Sequence, residues 1–243
     1  MSQPIIQTRD LRFSYTTAEG VAPVVLDGVT LSIQEGSFVA VLGHNGAGKT
    51  TLLKSVVSLV RAESGGIHLD GTQLCNTSPR TAAEAGVRLL PSEFRGIFSS
   101  RTVLDNLKIA MPARMGRDKA RQEQEIAYCL EIFPDLRQKL KQPAGSLPGG
   151  QQQMVAMAVA LMGRPRVLLL DEPSIGLSPN LVQRLLDEVR RLSDSQGLAA
   201  ILVEQNANVA LRIADRVAAL RTGTIIREAP AGQVTQEQLW DLF

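Results

Sequence analysis

The strongest chemical signal in the sequence is Gly43-His44-Asn45-Gly46-Ala47-Gly48-Lys49-Thr50. It fits the pattern G-x-x-x-x-G-K-[ST], in which backbone N–H groups cradle phosphate oxygens. The glycines let the backbone wind tightly enough to point successive N–H groups inward, and the helix start that follows adds partial positive charge. Lys49 is placed to reach the outer phosphates, the Thr50 hydroxyl to ligate Mg2+, and Thr51 to reach an inner phosphate. A second signal is Asp171-Glu172, which closes the apolar run Val167-Leu168-Leu169-Leu170. A carboxylate at a strand tip lies where open α/β sheets bind ligands. Asp171 is suited to hold Mg2+ and Glu172 to polarise an attacking water, so the two motifs together predict hydrolysis of a nucleoside triphosphate.

These groups need strands and helices to carry them. Ser37–Leu42 is a short apolar strand leading into the loop, and a helix is expected over residues 49–60, broken at Ser64-Gly65-Gly66. Val167–Leu170 and Ala199–Val203 read as strands buried on both faces. Apolar residues at 181, 182, 185, 186, 189 and 192 mark one face of a helix. Residues 5–13 and 24–33 read as earlier strands, and 217–220 with 224–226 as a final hairpin. From about Pro91 to Gly145 the pattern turns helical, with an amphipathic helix at 118–133, before Gln151–Met162 resumes the α/β alternation. The alternation implies an α/β fold with a mostly parallel sheet, and the fold class expected is a P-loop NTPase (RecA-like) core with an N-terminal antiparallel β part and an inserted helical subdomain. We expect one domain over 1–243, with core 1–90 and 152–243 and a helical part at about 91–151.

Composition narrows the function classes. Lys and Arg number 26 against 24 Asp and Glu, a net charge of +2, too small an excess for a chain whose work is holding nucleic-acid phosphates. Aromatics at 4% leave little for base stacking, so no nucleic-acid partner is expected. Cys75 and Cys129 are far apart and read as two buried free thiols. No apolar run approaches the ~20 residues that span a bilayer, so any membrane work is expected to go through docking on another protein. His44 reads as a loop-surface residue or a nucleotide contact, and the amphipathic ending at 239–243 as packed on the core or facing a partner.

Beyond these two motifs, the order of Leu147-Pro148-Gly149-Gly150-Gln151, Asp171-Glu172, Ser174-Ile175-Gly176-Leu177-Ser178-Pro179 and Val203-Glu204-Gln205-Asn206 resembles the ATP-binding subunits of ABC transporters. Pro91 and Ile97-Phe98 match the subgroup that serves importers of branched-chain amino acids, urea and amides. The resemblance covers nearly the whole chain. It implies an ATPase that takes ATP and Mg2+, pairs with a second such subunit, docks on separate permease subunits, and serves a solute-binding protein indirectly. It gives Tyr15 the role of stacking on adenine and Glu172, Lys49 and Gln205 the catalytic roles. Gly43 through Thr51 hold the nucleotide, and Pro148, Gly149, Gly150 and Gln151 cap the ATP of the opposite subunit. The segment 89–103 would join core to helical part and meet the permease. Two other readings remain consistent with the residues: a cassette ATPase without a permease, and a slow-hydrolysing regulatory subunit.

Three positions depart from the family pattern. Pro148 replaces the signature serine and brings neither hydroxyl nor N–H, although its φ suits a helix start. Gln205 stands where most members carry histidine; it can donate a hydrogen bond but carries no charge. Ser92 or Glu93 occupies the place of the family's glutamine, with Glu93 joining Thr50 and Asp171 as a candidate Mg2+ ligand. Pro148 would act on the partner's ATP and Gln205 on this chain's own. That split points to a heterodimer whose partner carries the intact serine, with a homodimer as the alternative.

Overall fold

The computed structural model describes residues 3–17, 20–92, 96–116, 118–235 and 237–238. Glu93 and the ending 239–243 lie outside these residues. Two sheets organise the chain. Strands β1 (Ile6–Thr17), β2 (Gly20–Ile33), β4 (Ser64–Leu69) and β5 (Thr72–Gln73) form an antiparallel sheet in the order β2-β1-β4-β5. The second sheet has the order β10-β9-β3-β8-β7-β6, from β3 (Phe38–Leu42), β6 (Val87–Leu90), β7 (Val167–Asp171), β8 (Ala199–Glu204), β9 (Arg216–Arg221) and β10 (Thr224–Pro230). Its pairings are parallel except the β9–β10 hairpin.

The apolar runs of β3, β7 and β8 are buried at every position because the parallel sheet is covered on both faces. Alternate side chains go to opposite sides. Val39, Val41, Val167, Leu169, Ile201 and Val203 pack towards the antiparallel sheet and α1 (Lys49–Val56). Phe38, Ala40, Leu42, Leu168, Leu170 and Leu202 pack into a second core. That core is shared with α5 (Gly149–Leu161), α6 (Pro179–Gln196) and α7 (Ala207–Ile213), and with α3 (Val103–Ile109) and α4 (Lys119–Ile132) of the middle segment. Helix α2 (Pro79–Glu84) precedes β6.

Local chemistry sets the ends of these helices. Thr102 and Asp105 form a reciprocal capping box at α3, Asp118 caps α4, and α6 runs from Pro179 in its first turn to Gly197 in the left-handed conformation. Among the described residues no helix is long and apolar enough to cross a membrane.

Several expectations are corrected. The first helix stops at Val56, and Ser58 turns into the left-handed region at φ 57°. Ser64-Gly65-Gly66 opens β4 rather than breaking a helix: a Cβ on Gly65 would stand 2.4 Å from the Asp10 carbonyl of the neighbouring strand, so glycine is what lets β4 approach β1. Only Cys129 is fully buried, and burial pushes its thiol up to about 12; Cys75 is half-buried.

Candidate active site

Four adjacent parallel strands end side by side, which is why residues distant in sequence meet. Leu42 of β3 pairs with Glu204 of β8, Asp171 of β7 with Val203, and Leu90 of β6 with Leu170. Just beyond these tips lie the phosphate loop, Glu172, Gln205 and Ser92. Two glycines of the loop have no substitute. A Cβ on Gly43 would sit 2.3 Å from the Leu220 carbonyl oxygen, and on Gly48 (φ 103°) it would sit 2.6 Å from that of Val25. Ala47 is buried, its N–H donating to the His44 carbonyl at 3.1 Å.

Lys49 is buried and curls back over the loop. Its Nζ donates to the carbonyls of Gly43 (2.7 Å) and His44 (3.1 Å) and lies 3.4 Å from Glu172 Oε1. A buried ammonium needs such partners, and phosphate oxygens can replace them. His44 thus contributes its main-chain carbonyl, while its side chain lies in an exposed stretch of loop.

Asp171 is buried with both oxygens engaged. Oδ1 accepts from Thr50 Oγ1 at 2.9 Å and Oδ2 from Ser92 Oγ at 3.0 Å. Burial pushes this carboxyl above the usual range and adjacent Glu172 adds to the rise, while the two hydroxyls pull it back. Of the two candidates for the joining segment, Ser92 is the residue observed at Asp171; Glu93 lies outside the described residues.

Glu172 adopts φ 46°, a left-handed conformation that is uncommon for a non-glycine residue. Its N–H donates to the Val203 carbonyl at 2.9 Å, fixing the strained backbone to β8. Gln205 Nε2 donates to Glu172 Oε1 at 2.9 Å and to Asn45 Oδ1 at 2.7 Å. The switch residue, the carboxylate and the phosphate loop are thereby joined in one network.

Tyr15, Asn45, Gly46, Gly48, Lys49, Thr50, Thr51 and Glu172, together with Val25, line one cavity of about 370 Å³. Tyr15 is 43% exposed. Phe13 holds it edge-on, with 4.7 Å between ring centroids, and its hydroxyl hydrogen-bonds with that of Thr51 at 3.3 Å. These contacts hold the ring against the cavity.

Pro148, Gly149, Gly150 and Gln151 are not among the described residues that line this cavity. Pro148 (φ −54°, ψ 147°) stands at the start of α5 without a side-chain cap, and the N–H groups of Gln151 and Gln152 donate to its carbonyl. Gly150 packs against α6, where a Cβ would meet Leu181 Cδ2 at 2.4 Å. Gln151 Oε1 is buried and has no hydrogen-bond partner among the described residues.

Sequence reasoning missed the work of Glu204. This carboxylate is 2% exposed; Oε1 accepts from the Ser174 N–H (3.2 Å), and Oε2 from the N–H groups of Gln205 (3.2 Å) and Asn206 (3.5 Å). Burial raises its pKa and the backbone donors lower it. The available signal was a lone acid ending an apolar strand.

Residues 26–175 match the ABC transporter family. This chain belongs to that family. It is an ABC importer ATPase: it binds ATP and hydrolyses it. It is 36% identical to the high-affinity branched-chain amino acid transport ATP-binding protein BraG of Pseudomonas aeruginosa, over 90% of this chain and 92% of BraG. It is 37% identical to the probable branched-chain amino acid transport ATP-binding protein LivF of Archaeoglobus fulgidus, over 89% and 90%. Among solved structures, the ABC transporter cassette MJ1267 superposes with a TM-score of 0.85 at 23% identity, covering 99% of each chain. The dimeric bacterial cassette MJ0796 superposes at 0.82 with 24% identity, covering 93% of this chain and 98% of its own.

Proposed function

We propose that this ABC ATPase powers uptake of branched-chain amino acids, or of a related amino acid, urea or amide, through separate permease subunits at the cytoplasmic face of the inner membrane. The observation that carries the ATPase part is the network of Lys49, Glu172, Gln205 and Asn45 around a phosphate loop, with Tyr15 lining the cavity at that loop. The solute class is supported by the two relatives' names and by Pro91, Ile97 and Phe98.

Lys49 and the loop N–H groups hold the triphosphate, and Tyr15 holds the base. Glu172, kept in place by Gln205, orients water and accepts its proton. Thr50 and Asp171 offer oxygen donors that fit Mg2+, and the Ser92 hydroxyl holds the Asp171 carboxylate in place. That suits an ion which takes few protein ligands and completes its shell with phosphate oxygens and water. Bound there, Mg2+ would offset the phosphate charge.

Two such subunits, in a heterodimer, would close over ATP with Pro148–Gln151 of one facing the nucleotide of the other. The permease would dock on a groove of about 170 Å³ whose lining includes Leu89, Ala110, Val159 and the more than half-exposed Phe98 and Ile109. Exposed apolar side chains at a groove suit insertion of a partner helix. The test is uptake of labelled leucine by cells lacking this gene, complemented with wild type or Lys49→Ala. Uptake restored by wild type alone supports the reading, and undiminished uptake in the deletion strain removes the solute assignment.

A further inference from the structure

We propose that Glu204 is a positioning residue for hydrolysis, clamping the loop that follows Glu172 to the switch segment that carries Gln205. Four links close a ring. The Glu172 N–H is bound to the Val203 carbonyl, and the Ser174 N–H, two residues on, donates to Glu204 Oε1. The Gln205 N–H donates to Glu204 Oε2, and the Gln205 side chain returns to Glu172 Oε1. The backbone on both sides of the Glu172–Gln205 contact is therefore held by one carboxylate.

The placement is costly. Glu204 ends a strand whose other residues are Ala199, Ala200, Ile201, Leu202 and Val203, and it is buried as deeply as they are. Burying an ionised group is unfavourable unless hydrogen bonds repay it, and here main-chain N–H donors from two separate loops do so. An apolar residue would finish the strand at lower cost but could not hold Ser174 and Gln205 together. Ser174 also opens the segment containing Ile175, which is 62% exposed. A partner pressing on that segment would pull on Glu204 and, through it, on Gln205.

The inference rests on the ATPase activity and not on the solute or on heterodimer formation, so a failed uptake assay leaves it standing. The experiment measures steady-state ATP hydrolysis by the full-length chain, in the permease complex if turnover requires it, for Glu204→Gln, Gln205→Ala and the double variant. Glu204→Gln keeps one acceptor oxygen but turns an NH2 either to the Ser174 N–H or to those of Gln205 and Asn206, so one side of the clamp is lost. Its kcat should fall about tenfold, with KM for ATP within twofold of wild type. The double variant should be no slower than Gln205→Ala alone, because both act through one contact. A fall in kcat that multiplies with that of Gln205→Ala, or a rise in KM at unchanged kcat, would overturn the proposal. Hydrogen exchange on the wild-type chain decides the matter if Glu204→Gln fails to fold. The Ser174 and Gln205 amides should be protected, and rapid exchange at both would show that no clamp exists.

Discussion

The side-chain amide of Gln205 bridges Glu172 Oε1 and Asn45 Oδ1, at 2.9 and 2.7 Å, so an uncharged residue orients the carboxylate from the phosphate loop itself. Histidine at this place could carry a proton; glutamine can only donate and accept hydrogen bonds. The division of labour follows. Glu172→Gln should lower hydrolysis by about 10²–10⁴-fold, the usual worth of a positioned base, while ATP stays bound. Gln205→Ala, which leaves the base present but loose, should cost about tenfold, the equivalent of one hydrogen bond. Single-turnover hydrolysis and filter-bound nucleotide measure both. Near-normal hydrolysis in Glu172→Gln would take the general-base role from that residue.

Ser92 reaches the Mg2+ candidate Asp171 from the neighbouring strand tip. Its hydroxyl holds the carboxylate rather than the nucleotide, so its removal should show in metal dependence. Ser92→Ala is expected to raise the Mg2+ concentration for half-maximal activity by about 10–100-fold, the range for losing a group that orients a metal ligand. Turnover at saturating Mg2+ should stay near wild type. An unchanged Mg2+ titration would mean that Ser92 has no part in the metal site.

Much of this site was legible because its residues come from elements with loud signatures. The phosphate loop follows a five-residue apolar strand, and Asp171 closes another. Ser92 was harder to place. It follows β6, Val87-Arg88-Leu89-Leu90, a strand only partly buried and broken by an arginine whose guanidinium reaches the Ala110 carbonyl. Neither strict alternation nor a continuous apolar run marks such a strand. Glu204 was illegible for another reason. Sequence shows a carboxylate ending a strand, but not whether it turns out to solvent or inward onto two loops. Only the register of β8 between β3 and β7 decides that.

The buried Asp171 also makes a pH prediction. A carboxyl whose native pKa lies above its unfolded value holds its proton more tightly in the folded chain. Its contribution to stability is therefore fully present at low pH and falls as pH rises through the window above the ordinary aspartate value. Burial is the largest cause of the upward shift at Asp171. Asp171→Asn removes this term, so without nucleotide the variant should gain stability relative to wild type between pH 4 and pH 7. Urea unfolding midpoints at the two pH values measure it. A stability difference that stays constant, or shrinks, across that range would contradict the raised pKa.

Pro148 offers a test of the composite arrangement that separates local stability from nucleotide capping. The residue already has the extended backbone that an N-cap adopts, and it lacks only a side-chain acceptor for the first turn of α5. Pro148→Ser should therefore stabilise the isolated chain by about 0.5–2 kcal/mol through a new cap, seen as a higher Tm. If the segment faces a partner's ATP, the added hydroxyl should do more in the assembled complex. It should tighten ATP binding there, by no more than the 1.5–3 kcal/mol or so of a charge-assisted hydrogen bond, with a matching change in turnover. The two effects are distinguishable because the isolated chain presents no second nucleotide to this segment. A gain confined to Tm, with ATP affinity and turnover in the complex unchanged, would sink the idea that a hydroxyl at position 148 reaches the partner's phosphate.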